Sequence, residues 1–169
     1  TLVKNKDAHD ALSSFTNQGL FIARCPGILG NAITVEMCYA VSGNDAFAKW
    51  PYIAVDHPDN AKYAKLFDKA PGTSDYAKNI KVGQGLTEAN AELFFDEVHI
   101  AVIDASGAIT GTPGTVLETY PFLSVCSDAK DVSGSSIFYK DVINTKSQYV
   151  FTALDDTNGV SAPVVVDID

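Results

Sequence analysis

The chain is poor in sulfur and tryptophan, with three cysteines, one methionine and one tryptophan in 169 residues. Cys25, Cys38 and Cys126 form an odd set with no CxxC spacing, which argues against a disulfide framework and against a zinc site. Each lies in an apolar run (ARCPG, EMCYA, LSVCSD), the setting of a buried, reduced thiol, and this suits a reducing compartment. Histidine is equally sparse. His9, His57 and His99 have no HxH, HxxxH or HExxH partner, so a metal site would need distant ligands. Positive charge is in deficit, 12 Lys and Arg against 21 Asp and Glu, for a net charge of −9. The lysines at 49, 62, 65, 69, 78 and 81 stand singly, so no basic patch offsets repulsion from nucleic acid or an anionic membrane. No apolar run approaches the roughly 18 residues of a bilayer span. No signal peptide is visible. A first residue Thr1 and a final VVVDID give the expectation of a fragment or processed product.

What remains is an ordinary globular composition, 46% hydrophobic and 20% charged, enough for one domain over residues 1–169. DAHDALSSF predicts a short helix over 7–15, and LFIARC a strand after it. Pro26-Gly27 and Gly30-Asn31 predict two turns. AITVEMCYAV alternates, with Ile33, Val35, Met37, Tyr39 and Val41 on one face and Thr34, Glu36, Cys38 and Ala40 on the other. TEANAELFF favours helix. DEVHIAVID alternates again, with Val98, Ile100 and Val102 on one face. DASG then predicts a tight turn joining strands 96–103 and 108–110. VLETYPFL reads as extended, SDAKDVSGSS as a polar loop, and Ile137, Phe138, Val142 and Ile143 as the stripe of a short helix. QYVFTAL and the terminal VVV read as strands. The sum is α+β, mainly antiparallel sheet with several short helices packed against it.

Sites of chemistry are few. The run GAITGTPGTVLETYPFLS, residues 107–124, looks at first like a phosphate cradle. A P-loop needs a lysine and a hydroxyl residue after its last glycine, at a helix start. Here Gly114 is followed by Thr115, Val116 and Leu117, and Pro113 removes an N–H donor. A shaped turn between strands is the better reading. His99, alternating within a strand, reads as a satisfied sheet residue. The neighbouring acids Asp96 and Glu97 point to opposite faces and cannot flank one substrate. There is no GxSxG elbow. Cys25 with His57 as base is the one nucleophilic pairing on offer, without an orienting signature. Trp50, Tyr52 and Tyr63 cluster in sequence, either as a docking surface or as a small satellite core.

Four stretches carry a resemblance. RCPGILGNAITVEMC, FDKAPGTSDYAKN, DEVHIAVIDASGAITGTPGTVLETYPFLSVCSDAK and YKDVINTKSQYVF resemble, in the same order, the tail sheath proteins of contractile-tailed bacteriophages of the myovirus type. They cover roughly residues 19–41 and 67–151, while 42–66 and 83–95 read as variable, insert-like sections. The resemblance implies a structural subunit, not an enzyme, that forms sixfold rings stacked helically around a tail tube. Such a sheath contracts irreversibly on a baseplate trigger and drives the tube through the host envelope. It implies other sheath subunits, the tube protein, the baseplate and the tail terminator as partners. It implies no cofactor, no nucleic acid and no membrane partner, and a place in the virion after assembly in the host cytoplasm. Under it, Pro26, Gly27, Gly30, Asn31, Gly107, Gly111, Pro113 and Gly114 are structural turn residues, with no catalytic, cofactor or metal site. Family members are longer, with terminal arms that complete a sheet on neighbouring subunits. The chain is therefore expected to be a middle domain of such a protein. The competing reading is a β-rich binding module using Trp50, Tyr52 and Tyr63 as an aromatic platform.

Overall fold

The computed structural model describes residues 6–11, 20–41, 47, 66–82, 93–153 and 165–166. Trp50, Tyr52, Tyr63 and His57 lie outside the described residues, as do most of the sections 42–66 and 83–95. The architecture is α+β, with antiparallel sheet and a few short helices. In chain order the elements are α1 (Lys6–Asp10), β1 (Phe21–Ala23), α2 (Ile28–Asn31), β2 (Ile33–Val41), β3 (Asn79–Val82), β4 (Leu93–Asp104), β5 (Thr115–Ser124), α3 (Tyr139–Lys146), β6 (Val150–Thr152) and β7 (Val165–Val166). β1 and β6 make a two-stranded sheet. The larger sheet runs β2-β4-β3-β7, with β5 also paired to β4. The chain divides into two compact units, each drawn from three segments. The first takes Thr1–Val35, Val102–Glu118 and Lys140–Ala162, and the second takes the rest.

In the first unit, β1 and β6 pair antiparallel with Phe21 opposite Thr152 and Ala23 opposite Val150. Arg24 N–H to the Tyr149 carbonyl and Ala153 N–H to that of Leu20 extend the ladder at both ends. The Phe151 side chain, 1% exposed, packs with Ala153 and Ile22. Two polar groups lie on its ring. His9 of α1 stacks at 4.6 Å and donates from Nε2 to the Thr152 carbonyl, 2.7 Å away. The Arg24 guanidinium sits 3.7 Å from the ring centroid. It also donates from Nε to the Val150 carbonyl and from Nη2 to the Asn144 carbonyl, at the end of α3. Asn144 returns a bond, its Oδ1 accepting the Thr152 N–H. A planar fork is needed to reach two carbonyls and cover a ring at once. α2 is a single turn. A Cβ at Gly30 would stand 2.1 Å from the Cys25 carbonyl oxygen, so only glycine lets that turn close. Gly30-Asn31 is thus the end of a helical turn, and not the free-standing second turn expected.

In the second unit, β3 pairs antiparallel with the start of β4, Asn79 opposite Phe95 and Lys81 opposite Leu93, and on its other side with β7. Leu93–Phe95 is strand, so the helix expected through LFF ends before it; the rest of that prediction lies outside the described residues. Beyond β5 the chain makes a small hairpin, closed by the Lys130–Ser136 bridge, and Phe138 then bridges Ser124 in parallel. Ile137 and Phe138 therefore sit in extended backbone, and α3 starts only at Tyr139. Their main-chain groups bond to Ala129 and Ser124, and those bonds replace a first helical turn.

The expected strand at 108–110 is absent from its place. The partner of β4 is β5, and residues 105–114 are all connection. Nor do the two strands advance in step. Gly114 N–H meets the Asp104 carbonyl and Val125 N–H meets that of Asp96, so β5 covers eleven residues while β4 covers eight. The surplus is taken up around Pro121, which has no N–H for a ladder, and Phe122, whose φ of 49° is the one positive non-glycine φ among the described residues.

Replacement of Arg24 by Lys should cost about 1–3 kcal/mol, nearly as much as Arg24→Ala, because an ammonium reaches one carbonyl and leaves another unpaired. Urea unfolding of the two variants measures it.

Candidate functional site

Strand β4 is the centre of interest. From Asp96 to Asp104 every residue is 3% exposed or less, so both faces are covered. Val98, Ile100, Ala101, Val102 and Ile103 account for the apolar part, each large side chain contributing about 1.5–3 kcal/mol on burial. Buried among them are Asp96, Glu97, His99 and Asp104. A buried ionisable group is tolerated when hydrogen bonds compensate it, and each of the four binds groups elsewhere in the chain; among the described residues Asp104 Oδ1 is the one buried side-chain polar atom without a partner.

Asp96 accepts the Lys78 N–H on Oδ1 at 2.7 Å and the Ser124 hydroxyl on Oδ2 at 2.6 Å. Ser124 Oγ in turn accepts the Cys126 N–H. Glu97 points to the other face. It accepts N–H groups from Gly72 at 2.6 Å and Ser74 at 3.4 Å on Oε2, and the Ser74 hydroxyl on Oε1. The close approach at Gly72 requires glycine. Its φ is 85°, and a Cβ would lie 2.8 Å from that of Ala40 and 2.9 Å from the Phe95 ring. Two residues on, His99 holds the same stretch of chain: Nε2 lies 2.8 Å from the Lys69 carbonyl, and Phe67 stacks on the ring at 4.5 Å. Nδ1 accepts the Phe122 N–H at 3.0 Å, which leaves the proton on Nε2 and makes the ring neutral. Phe122 and Phe47 meet the ring edge-on. Burial holds the His99 pKa below the ordinary histidine value, against the Lys69 carbonyl and the Glu97 charge, which favour the cation.

Asp104 ends β4 in the first unit and organises the GTPGT connection. Its Oδ2 accepts the Ile109 N–H at 3.0 Å, the Thr110 N–H at 2.7 Å and the Thr110 hydroxyl at 2.8 Å. Burial alone would raise its pKa. The bonds from Thr110 and Ile109, with the Gly107 N–H adding to the field, outweigh that and hold the carboxyl below the ordinary value. Gly107, Gly111 and Gly114 all take positive φ. Thr110 and Thr115 hydroxyls donate to the Thr112 carbonyl, and Gly111 N–H to that of Gly107. The donors that a phosphate would use are thus directed at a carboxylate of the chain itself. A second anion there would meet like charge, and the loop is a closed turn.

The same device recurs in the second unit. Asp104-Ala105-Ser106-Gly107 and Asp131-Val132-Ser133-Gly134 share the pattern D-x-S-G, each with an accepting carboxylate and a glycine at positive φ. Asp131 Oδ1 accepts the Ser133 N–H, the Ser133 hydroxyl and the Ser135 N–H, bonds that lower its pKa. This pair was legible in the sequence as two copies of one tetrapeptide. Gly27 also takes a positive φ, with Pro26 before it, while Asn31 closes α2 through its N–H to the Gly27 carbonyl.

Both described histidines bond to main-chain groups. Of the cysteines only Cys38 is fully buried, and burial pushes its thiol up to about 11; Cys25 and Cys126 are half-buried. Burial likewise raises the pKa of Glu36, on the Cys38 face of β2. Among the described residues no group of three or more His, Cys, Asp or Glu is placed to hold a metal ion. No helix among them is long and apolar enough to cross a membrane. No family model, no curated protein and no solved structure matches this chain.

Gly107→Ala should be the costlier of two matched substitutions. Both Gly107 and Gly111 take left-handed φ, but a Cβ at 107 would meet Pro113 N at 2.7 Å, whereas at 111 it meets nothing within 4 Å. Gly111→Ala should cost about 1 kcal/mol and Gly107→Ala at least about 2 kcal/mol. Thermal and urea unfolding of the pair checks the order.

Asp104→Asn should destabilise above the ordinary carboxyl range, because a lowered folded-state pKa contributes stability there. The gap between wild type and variant should close as pH falls through that lowered pKa, where Asp104 is protonated in both states. Unfolding curves at stepped pH measure the closure.

Proposed function

We propose that the chain is a structural subunit of a contractile bacteriophage tail sheath, polymerising around the tail tube and contracting to drive it through the host envelope. The observation that carries this reading is the resemblance of four stretches in one order along the sequence. The contacts of β4 add support. Asp96, Glu97 and His99 join FDKAPGTSDYAKN to the long DEVHIAVID…SVCSDAK stretch, so residues that carry the resemblance also hold one another in place. A protein that works by bearing load within a lattice needs its polar groups committed internally, and it needs no nucleotide or cofactor. The acidic balance suits a subunit that the tube separates from the genome. Its partners on this reading are further sheath subunits, the tube protein, the baseplate and the terminator, in the virion.

Negative-stain microscopy of the protein, expressed alone and with its tube protein, tests the proposal. Striated tubes or stacked rings are expected. A protein that stays monomeric even when its own tube is supplied would overturn it.

A further inference from the structure

We propose that His99 is a proton-operated latch, whose protonation frees the Phe122 bulge from β4. The geometry makes the ring unable to accept a proton without breaking a bond. Nε2 already carries the hydrogen that meets the Lys69 carbonyl, and the free lone pair on Nδ1 is the acceptor for the Phe122 N–H. A proton on Nδ1 sets two donors face to face at 3.0 Å. The site cannot absorb this by hydration, since His99 is 0% exposed and ringed by Phe67, Phe122 and Phe47. Phe122 is the residue least able to hold its place unaided. Its φ of 49° costs about 1 kcal/mol or more and persists only while its surroundings dictate it.

Among the described residues, the groups that face the ring do not supply a substitute partner. On β4 itself Glu97 is the nearest charge, but both its oxygens already accept bonds from Gly72 and Ser74. On the 67–74 segment the charged residues are Asp68 and Lys69, both exposed, and the contact to His99 is through the Lys69 carbonyl. The stretch of β5 around the contact, TYPFLS, has no carboxylate, lysine, arginine or histidine. Phe47 offers a ring edge. His9 makes an informative contrast: its Nε2 bonds to a carbonyl, a contact that a protonated ring keeps. Loss of the Phe122 bond lets the bulge relax, while the protonated ring keeps its contact with the Lys69 carbonyl.

Hydrogen exchange followed by NMR on the full chain, with the His99 ring nitrogens observed in the same samples, tests the latch. At about pH 7.5 the ring should show the neutral Nε2–H form. Between that pH and about pH 5, the protection factor at Phe122 should fall by about tenfold or more, in step with titration of His99. Those at Ala23 and Val150, in the β1–β6 ladder, should stay level. Titration of His99 with protection at Phe122 unchanged would sink the proposal, as would a ring that stays neutral to pH 4 while that amide opens. In His99→Gln, which cannot titrate, protection at Phe122 should no longer depend on pH. A loss of protection that keeps the wild-type pH profile in this variant also overturns the latch. If the variant does not fold, the wild-type titration decides alone.

Discussion

A strand buried on both faces must find partners for its polar side chains within the protein, and β4 carries four ionisable ones, each of which finds at least one. That constraint organises the surroundings. Asp96 draws in β3 through Lys78 and the end of β5 through Ser124. Glu97 and His99, two apart and so on one face, fasten the 67–74 segment at three points. Asp104 folds the 105–114 connection around its own carboxylate. Had these positions been apolar, the strand would bury as well, but the loops would have no partners, and each unmet main-chain N–H would cost about 1–3 kcal/mol.

The strain in the fold sits beside these same groups. Phe122 takes its disfavoured φ where its N–H meets His99, and Gly72 takes positive φ where its N–H meets Glu97. In both cases the side chain of β4 is the fixed point and the neighbouring backbone bends to reach it. The loop at 104–114 follows the same logic, since Gly107 and Pro113 crowd together only because both ends of the turn are tied to Asp104. A backbone conformation that is expensive alone is held when a buried charge over-determines it.

The strands were legible where the pattern is local. AITVEMCYAV, VLETYPFL and QYVFTAL read as extended and are so, because β-branched and aromatic residues at alternate positions report a pleated surface directly. Which face of β2 turns inward was not legible: Cys38 and Ala40 are the buried pair, although the bulkier apolar residues lie on the other face. The short hairpin expected at DASG failed because a carboxylate six residues before the first threonine can cap a ten-residue connection as well as a two-residue turn. The repeat of D-x-S-G at Asp131 was the available sign that the aspartate is the organiser. The work of Glu97 and His99 was beyond reach, since their partners lie 23 to 30 residues away and periodicity carries no information over that span.

Register is where this arrangement matters most. A β-strand slipped by one residue exchanges its faces, and an all-apolar strand buried on both sides would lose little packing by doing so. With Asp96 and Glu97 side by side the exchange is forbidden. Slippage would turn Glu97 towards Lys78 and Ser124, and Asp96 towards Gly72 and Ser74, with the wrong side-chain length in each site. Two buried carboxylates would then lack partners, a penalty of several kcal/mol each. Adjacent acids on opposite faces are useless for gripping a substrate, yet they are well suited to fixing one strand alignment out of several.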